Sequence, residues 1–201
     1  MTEEEWLTAL LPIRMVDRIG LGASQRKLRL FACAATRRVW EEVDQWAQYP
    51  NNPHRKTVEA AELFADAIMS AETFAGYRPA GFDVEGVVTE DAYGSARWAV
   101  THLITSMPDE AAEWIEQAAL LLDIFGNPFR PVAFSSDWRT DTALALARTM
   151  YEAREFSAMP ILADALQDAG CDNDDILSHC RDPKQVHVRG CWVVDLVLRL
   201  S

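Results

Sequence analysis

The chain has 201 residues, 49% of them hydrophobic and 25% charged, which is typical of a globular protein with a sizeable buried core. The net charge of −12 argues against broad binding to nucleic acid or anionic membranes, because both require a positive surface field. The start of the chain is acidic where a secretory signal is basic, and no apolar run approaches the roughly 18 residues of a membrane span. We therefore expect a cytoplasmic protein with four reduced cysteines.

The N-terminal part of the chain predicts helices. Thr2 and Glu5 have the spacing of a capping box, which begins a short helix. Pro12 ends this helix or begins the next one. Ser24 is a good N-cap for a helix over about 25–47, whose apolar side chains recur at three- and four-residue steps.

The middle of the chain predicts three more helices around a turn-rich stretch. An amphipathic helix is expected over about 54–75, and its apolar side carries Val58, Ala61, Phe64, Ala65, Ile68 and Ala71. Residues 76–88 are rich in turn formers and are the candidate for a weak domain boundary. Thr89 is expected to cap the next helix, and Pro108 to begin the one after it.

The last third of the chain predicts four further helical segments. Thr140 or the residue after it caps the first of them, and the second and third cover 159–170 and 172–181. The segment 191–200 is a final apolar helix or a strand, since three of its valines are β-branched. The prediction as a whole is an all-α protein, an irregular bundle of about eight helices in a single domain over 1–201.

A stiff connector follows the helix that ends near residue 125. Gly126 can take the left-handed conformation that terminates a helix, and Pro128 cannot continue one. Pro128 and Pro131 fix φ on both sides of Phe129 and Arg130. Such a connector either directs these two side chains toward a partner or fixes Phe129 in the core.

Cysteine and histidine are concentrated near the C-terminus. Five of them fall within 21 residues, namely Cys171, His179, Cys180, His187 and Cys191. Thiolates and imidazoles are the ligands that zinc prefers, but there is no C-x-x-C pair, and buried free thiols are the simpler interpretation. A zinc site would use Cys171, Cys180, His187 and Cys191, and the default expectation is a protein without a cofactor.

No stretch of the sequence carries a catalytic signature such as G-x-S-x-G, a P-loop or G-x-G-x-x-G. This favours a non-enzymatic protein-interaction module, an adaptor or regulatory subunit with a protein partner. The expected contact residues are aromatic or cationic side chains on stiff loops: Phe129, Arg130, Trp138, His187 and Arg189. Arg189 could instead form a salt bridge with a nearby aspartate. The alternatives are a zinc-stabilised helical module and an enzyme of unknown type.

One local cluster of positive charge departs from the acidic average. It consists of Arg26, Lys27, Arg29, Arg37 and Arg38, all within the predicted helix over 25–47. These side chains could contact phosphate or an acidic partner, although a solvated helix face is the simpler interpretation.

Several long strings resemble a large family of paralogous bacterial proteins of planctomycete type. They are "DIFGNPFRPV", "ILADALQDAGC", "HCR" and "HVRGCWVVDLVL", together with "RKLRLFACAATRRVW" near the start, and they cover about 60% of the chain. The resemblance implies no activity, because none is known for the family. Where the family commonly has a second cysteine, this chain has Ala35 or Thr36, which weakens a metal site that needs it. Residues 75–115 are outside the resemblance.

Overall fold

A computed structural model describes residues 1–40, 53–77, 86, 91–105 and 107–200. Within these ranges the regular elements are helices, so the all-α prediction is confirmed. They include eleven α-helices, against the eight or so that were expected. In the same ranges no helix is long and apolar enough to cross a membrane.

The chain divides into two compact units, an N-terminal unit (Met1–Leu121) and a C-terminal unit (Leu122–Ser201). The first six helices are α1 (Glu3–Leu7), α2 (Pro12–Ile19), α3 (Gln25–Arg38), α4 (Pro53–Ala65), α5 (Ala71–Ala75) and α6 (Ala92–Trp98). The remaining five are α7 (Glu110–Phe125), α8 (Asp141–Ala153), α9 (Met159–Asp168), α10 (Asp174–Arg181) and α11 (Trp192–Leu198). The division between the units falls inside α7, after Leu121.

Polar caps begin several helices where the sequence predicts them. Thr2 and Glu5 form both hydrogen bonds of a capping box at α1. The side chain of Ser24 accepts a hydrogen bond from the Lys27 N–H at the start of α3. The side chain of Thr140 accepts one from the Ala143 N–H at the start of α8. The part of the α3 prediction that continues to residue 47 falls on residues 41–52, which lie outside the described ranges.

The single helix predicted over 54–75 is wrong, because two helices occupy this stretch. After α4 the backbone takes a left-handed conformation at Ala67, with φ 56°, which no α-helix continues through. Ser70 then caps α5 by accepting a hydrogen bond from the Thr73 N–H. Ile68, which was expected on the apolar side, is 68% exposed.

Two predicted helix starts also lie at other residues. Asp91 rather than Thr89 caps α6, since its carboxylate accepts hydrogen bonds from the N–H groups of Tyr93 and Gly94. α7 begins at Glu110, not at Pro108, and Asp109 accepts a hydrogen bond from the Ala112 N–H. In both places an aspartate carboxylate accepts a hydrogen bond from a backbone N–H two or three residues later in the chain, as is common at the N-cap of a helix.

The C-terminal unit has an apolar core to which all of α8 to α11 contribute. Its buried members include Ala143, Ala147, Met150, Leu162, Leu166, Ile176, Val193, Val194 and Val197. The last segment is a helix rather than a strand, and the three buried valines lie on it. Gly126 has φ 62° and ends α7, as predicted, so the chain turns away three residues after Asp123.

Candidate metal centre

Asp123 is a fully buried carboxylate in the last turn of α7, within the otherwise apolar run "LLLDIF". Its Oδ2 accepts a hydrogen bond of 2.9 Å from the N–H of Val188, in the loop between α10 and α11. A buried carboxylate is costly unless its oxygens find partners. The contact therefore fixes the loop against the end of α7 and leaves Oδ1 for side chains.

Two histidines face the remaining oxygen of Asp123. His179 comes from the last turn of α10, and its Nε2 lies 3.2 Å from Oδ1. His187 comes from the loop, and its Nδ1 lies 2.9 Å from the same oxygen. Both imidazoles are buried, with side-chain exposures of 10% and 7%. Two rings from different segments thus converge on one oxygen atom.

Cys191 completes the group from the N-cap position of α11, and it is fully buried. Its Sγ lies 3.3 Å from Nε2 of His179 and 3.9 Å from Nδ1 of His187. The four donor atoms, one from each side chain, all lie within 4.8 Å of one another. We call Asp123, His179, His187 and Cys191 the four-donor group.

Four of the six separations within the four-donor group are near those of a tetrahedral metal site. Zinc bonds to nitrogen, oxygen and sulfur of roughly 2.0–2.3 Å place neighbouring donors about 3.3–3.6 Å apart in a tetrahedron. These four separations are 2.9, 3.2, 3.3 and 3.9 Å, and all six are within 4.8 Å. The side chains would have to adjust for all four atoms to reach one ion.

The electrostatics of the group fit a cation. Burial on its own raises the pKa of the Asp123 carboxyl, but hydrogen bonds from His179 and His187 outweigh it and hold the pKa below its ordinary value. Burial raises the pKa of the Cys191 thiol well above its ordinary value, and the charge of Asp123 adds to this. Without a metal the thiol is therefore protonated at neutral pH, and a bound cation would take the place of that proton.

The four-donor group shares only part of the zinc ligand set that the spacing predicted. His187 and Cys191 belong to the group, whereas Cys171 and Cys180 are buried in the core of the unit and are not among its members. Burial raises the pKa of Cys180 to about 12, as for a thiol that packs as an apolar side chain.

Sequence reasoning did not include Asp123 and His179 in the candidate ligand set. Asp123 lies 48 residues before Cys171, the nearest cysteine of the tail, so no spacing rule connects it with them. A single acidic residue inside an apolar helical run is the feature that identifies it, since such a carboxylate needs a buried partner. His179 and Cys180 are neighbours on α10, so their side chains point in different directions. The sequence alone does not show which of the two points toward Asp123.

The five expected partner-binding residues have different environments. Arg130 is exposed, while Phe129 and Trp138 are half-buried, and the Trp138 ring packs edge-on against a neighbouring phenylalanine. The guanidinium of Arg189 lies 4.5 Å from the ring centre of Tyr151, a cation–π contact. His187 belongs to the four-donor group. Of these five, Arg130 is the residue whose side chain faces solvent.

The basic cluster of α3 is engaged within the N-terminal unit. Arg26 pairs with Asp66 at 2.8 Å, Arg37 pairs with Glu62 at 2.6 Å, and Arg38 pairs with Glu113 at 3.2 Å. Arg29 is 3% exposed and lies over the stacked rings of Phe64 and Phe74, at 5.0 and 5.2 Å from their centres. Binding of phosphate by these arginines would have to compete with the acidic partners.

No protein-family model, curated protein or solved structure matches this chain. The resemblance of its sequence strings to a planctomycete-type family therefore stays a prediction.

Proposed function

We propose that the C-terminal unit is a zinc-stabilised helical module, in which a zinc ion binds to the four-donor group. The observation that carries this proposal is the convergence of a carboxylate, two imidazoles and a thiol within 4.8 Å of one another. A buried cluster of this kind is the ligand set of a metal centre, and its members come from α7, α10, the 182–191 loop and the start of α11.

The donor chemistry favours zinc over other common ions. Magnesium and calcium prefer oxygen ligands, and the group offers a single carboxylate. One thiolate and two imidazoles suit zinc, which imposes no geometry of its own and is commonly tetrahedral in proteins. Cobalt(II) accepts the same donors in a similar arrangement and is the natural spectroscopic substitute.

The proposed role is structural, because the centre is closed. Four protein side chains fill a tetrahedral shell, whereas a catalytic zinc keeps one position for water or substrate. The four side chains are at most 10% exposed. A metal here would join the end of α7 to α10 and to the first residues of α11.

The proposal is tested by metal analysis of the purified protein and by cobalt titration after chelation. We expect about one equivalent of zinc per chain and a cobalt spectrum with a thiolate charge-transfer band. Cys191→Ala should abolish both. Cys180→Ala is the matched control, since it removes a buried thiol of the same unit that is not among the four donors. A wild-type chain that binds neither ion would contradict the proposal, as would an equal loss in both variants.

The cellular setting belongs to the same proposal. A zinc-binding thiolate and three further free cysteines persist in a reducing compartment, which favours the cytoplasm. The hypothesis of a protein-interaction module stays a prediction, and exposed Arg130 is the residue through which it can be tested. A helical unit held together by zinc would serve such a role as a rigid scaffold.

A further inference from the structure

The indole of Trp192 lies close to both the backbone of Gly126 and the ring of His179. A Cβ atom on Gly126 would lie 3.1 Å from Cγ and 3.2 Å from Cδ2 of the indole, so alanine here would require the indole to shift by a few tenths of an ångström. The indole also lies 5.2 Å from the imidazole of His179, measured between ring centres. The end of α7 is thereby connected to a member of the four-donor group through one aromatic side chain.

His179 is the member of the group that lies beside this indole. Its side chain is 10% exposed, that of His187 is 7% exposed, and those of Asp123 and Cys191 are buried. The ring of His187 meets that of His179 edge-on at 4.9 Å, so aromatic rings flank the imidazole of His179 at two places.

We propose that Trp192 is the positioning residue of the metal centre and that it controls how fast the metal leaves. The indole holds the His179 ring in the orientation that directs Nε2 toward Asp123 and Cys191, and it shields that ring from water. Trp192 itself does not contact the metal. This inference rests on the proposed zinc site and adds the residue that governs exchange at it.

The expected effects follow from the role of residues that orient a metal ligand. Losing an outer partner that hydrogen-bonds a ligand typically weakens metal binding about 10- to 100-fold, and we take the same range for a packed ring that orients one. Trp192→Ala should therefore release the metal about 10- to 100-fold faster than the wild type. Trp192→Phe keeps an aromatic face against His179 and should remain within a few-fold of the wild-type rate. Gly126→Ala should also speed release, because its Cβ displaces the indole.

The experiment measures release of cobalt and zinc from the loaded full-length chain into an excess of a chromophoric chelator, by stopped flow. Unfolding in urea with chelator present gives the metal-free stability of each variant. Gly170→Ala is the control for Gly126→Ala, since Gly170 also has positive φ, 88°, but has no atom within 4 Å of an added Cβ. Gly170→Ala should be destabilised about as much as Gly126→Ala but should release the metal at the wild-type rate.

The results separate this inference from the proposed function. If the wild-type chain binds no metal, the zinc site itself is wrong. If the wild type binds metal and Trp192→Ala releases it at the wild-type rate, the positioning role is overturned, and exchange takes another route, such as the cavity lined by His187 and Cys180. Release from Trp192→Phe as fast as from Trp192→Ala would also overturn it. Should Trp192→Ala fail to fold, Trp192→Phe and Gly126→Ala decide the question.

Discussion

Replacing Asp123 with asparagine separates the proposed role of this carboxylate as a metal ligand from its observed contact with the 182–191 loop. In the metal-free chain the two oxygens accept from three donors: Nε2 of His179, Nδ1 of His187 and the N–H of Val188. Asparagine has one acceptor oxygen, and in its best orientation the amide NH2 faces the Val188 N–H. One buried donor is then unpaired, which costs about 1–3 kcal/mol of the free energy of unfolding.

The metal-dependent part of the effect is separate and of similar size. Zinc at a free concentration 100 times its Kd stabilises the folded chain by about 2.7 kcal/mol. If Asp123→Asn raises the Kd about 100-fold, the same zinc concentration stabilises the variant by only about 0.4 kcal/mol. The variant should therefore be destabilised by about 1–3 kcal/mol in chelator and by more than that in zinc.

The assay is urea unfolding at a buffered zinc concentration and again in chelator, followed by tryptophan fluorescence. Asp195→Asn is the control, because Asp195 is also buried, at 1% exposure, on α11 of the same unit. Its loss of stability should be equal in zinc and in chelator. A zinc-dependent gain in Asp123→Asn as large as that of the wild type would refute the assignment of Asp123 as a ligand.

Three further predictions address other parts of the molecule. Because burial raises the pKa of Cys180 to about 12, the folded chain keeps this proton when the unfolded chain loses it. The protonated thiol therefore contributes fully to the free energy of unfolding below about pH 8.5, and this contribution is lost as pH rises toward 12, at about 1.4 kcal/mol per pH unit. In chelator, the free energy of unfolding of Cys180→Ala should fall less steeply with alkaline pH than that of the wild type, as measured by urea unfolding. Arg130→Ala, at an exposed position, should leave the melting temperature nearly unchanged while weakening a partner found by pull-down, and a large drop in melting temperature would make Arg130 structural. Glu62→Gln should lower the free energy of unfolding in urea by about 1–3 kcal/mol, because this 3% exposed carboxylate binds the partly exposed Arg37 through two hydrogen bonds. Glu116→Gln, at an ion pair whose carboxylate is 40% exposed, should lower it by less than about 1 kcal/mol. Equal losses in the two variants would contradict this.

Local patterns predicted the helices well where a side chain or a glycine sets the boundary. Ser24, Thr140 and Gly126 act within one helical turn of their own position, so the letters nearby contain the needed information. The break after α4 was missed because Phe64, Ile68 and Ala71 continue the helical spacing across it. Ile68 is exposed, which means that spacing alone did not reveal which apolar side chains reach the core.

The four-donor group could be predicted only in part, for a physical reason. Its donors come from segments separated by up to 68 positions, and packing of α7 against the loop brings them together. The ligand set predicted from the cysteines and histidines of the tail therefore shares two of its four residues, His187 and Cys191, with the four-donor group. The buried carboxylate of Asp123 is the centre around which the loop is arranged, through the N–H of Val188 and the ring of His187.

Cys191 is the residue that distinguishes a metal centre from a hydrogen-bond network of an acid with two imidazoles. Asp123, His179 and His187 contact one another without it. Serine or aspartate at the N-cap of α11 would stabilise the helix by about 1 kcal/mol through a side-chain cap. The thiol makes no such cap and lies 3.3 Å from Nε2 of His179. Burial and the charge of Asp123 make its ionisation unfavourable in the metal-free chain. A cation among the four donors reverses this, because it neutralises the carboxylate and stabilises the thiolate. The proposed zinc would give a cysteine at this position a role that capping of α11 does not give it.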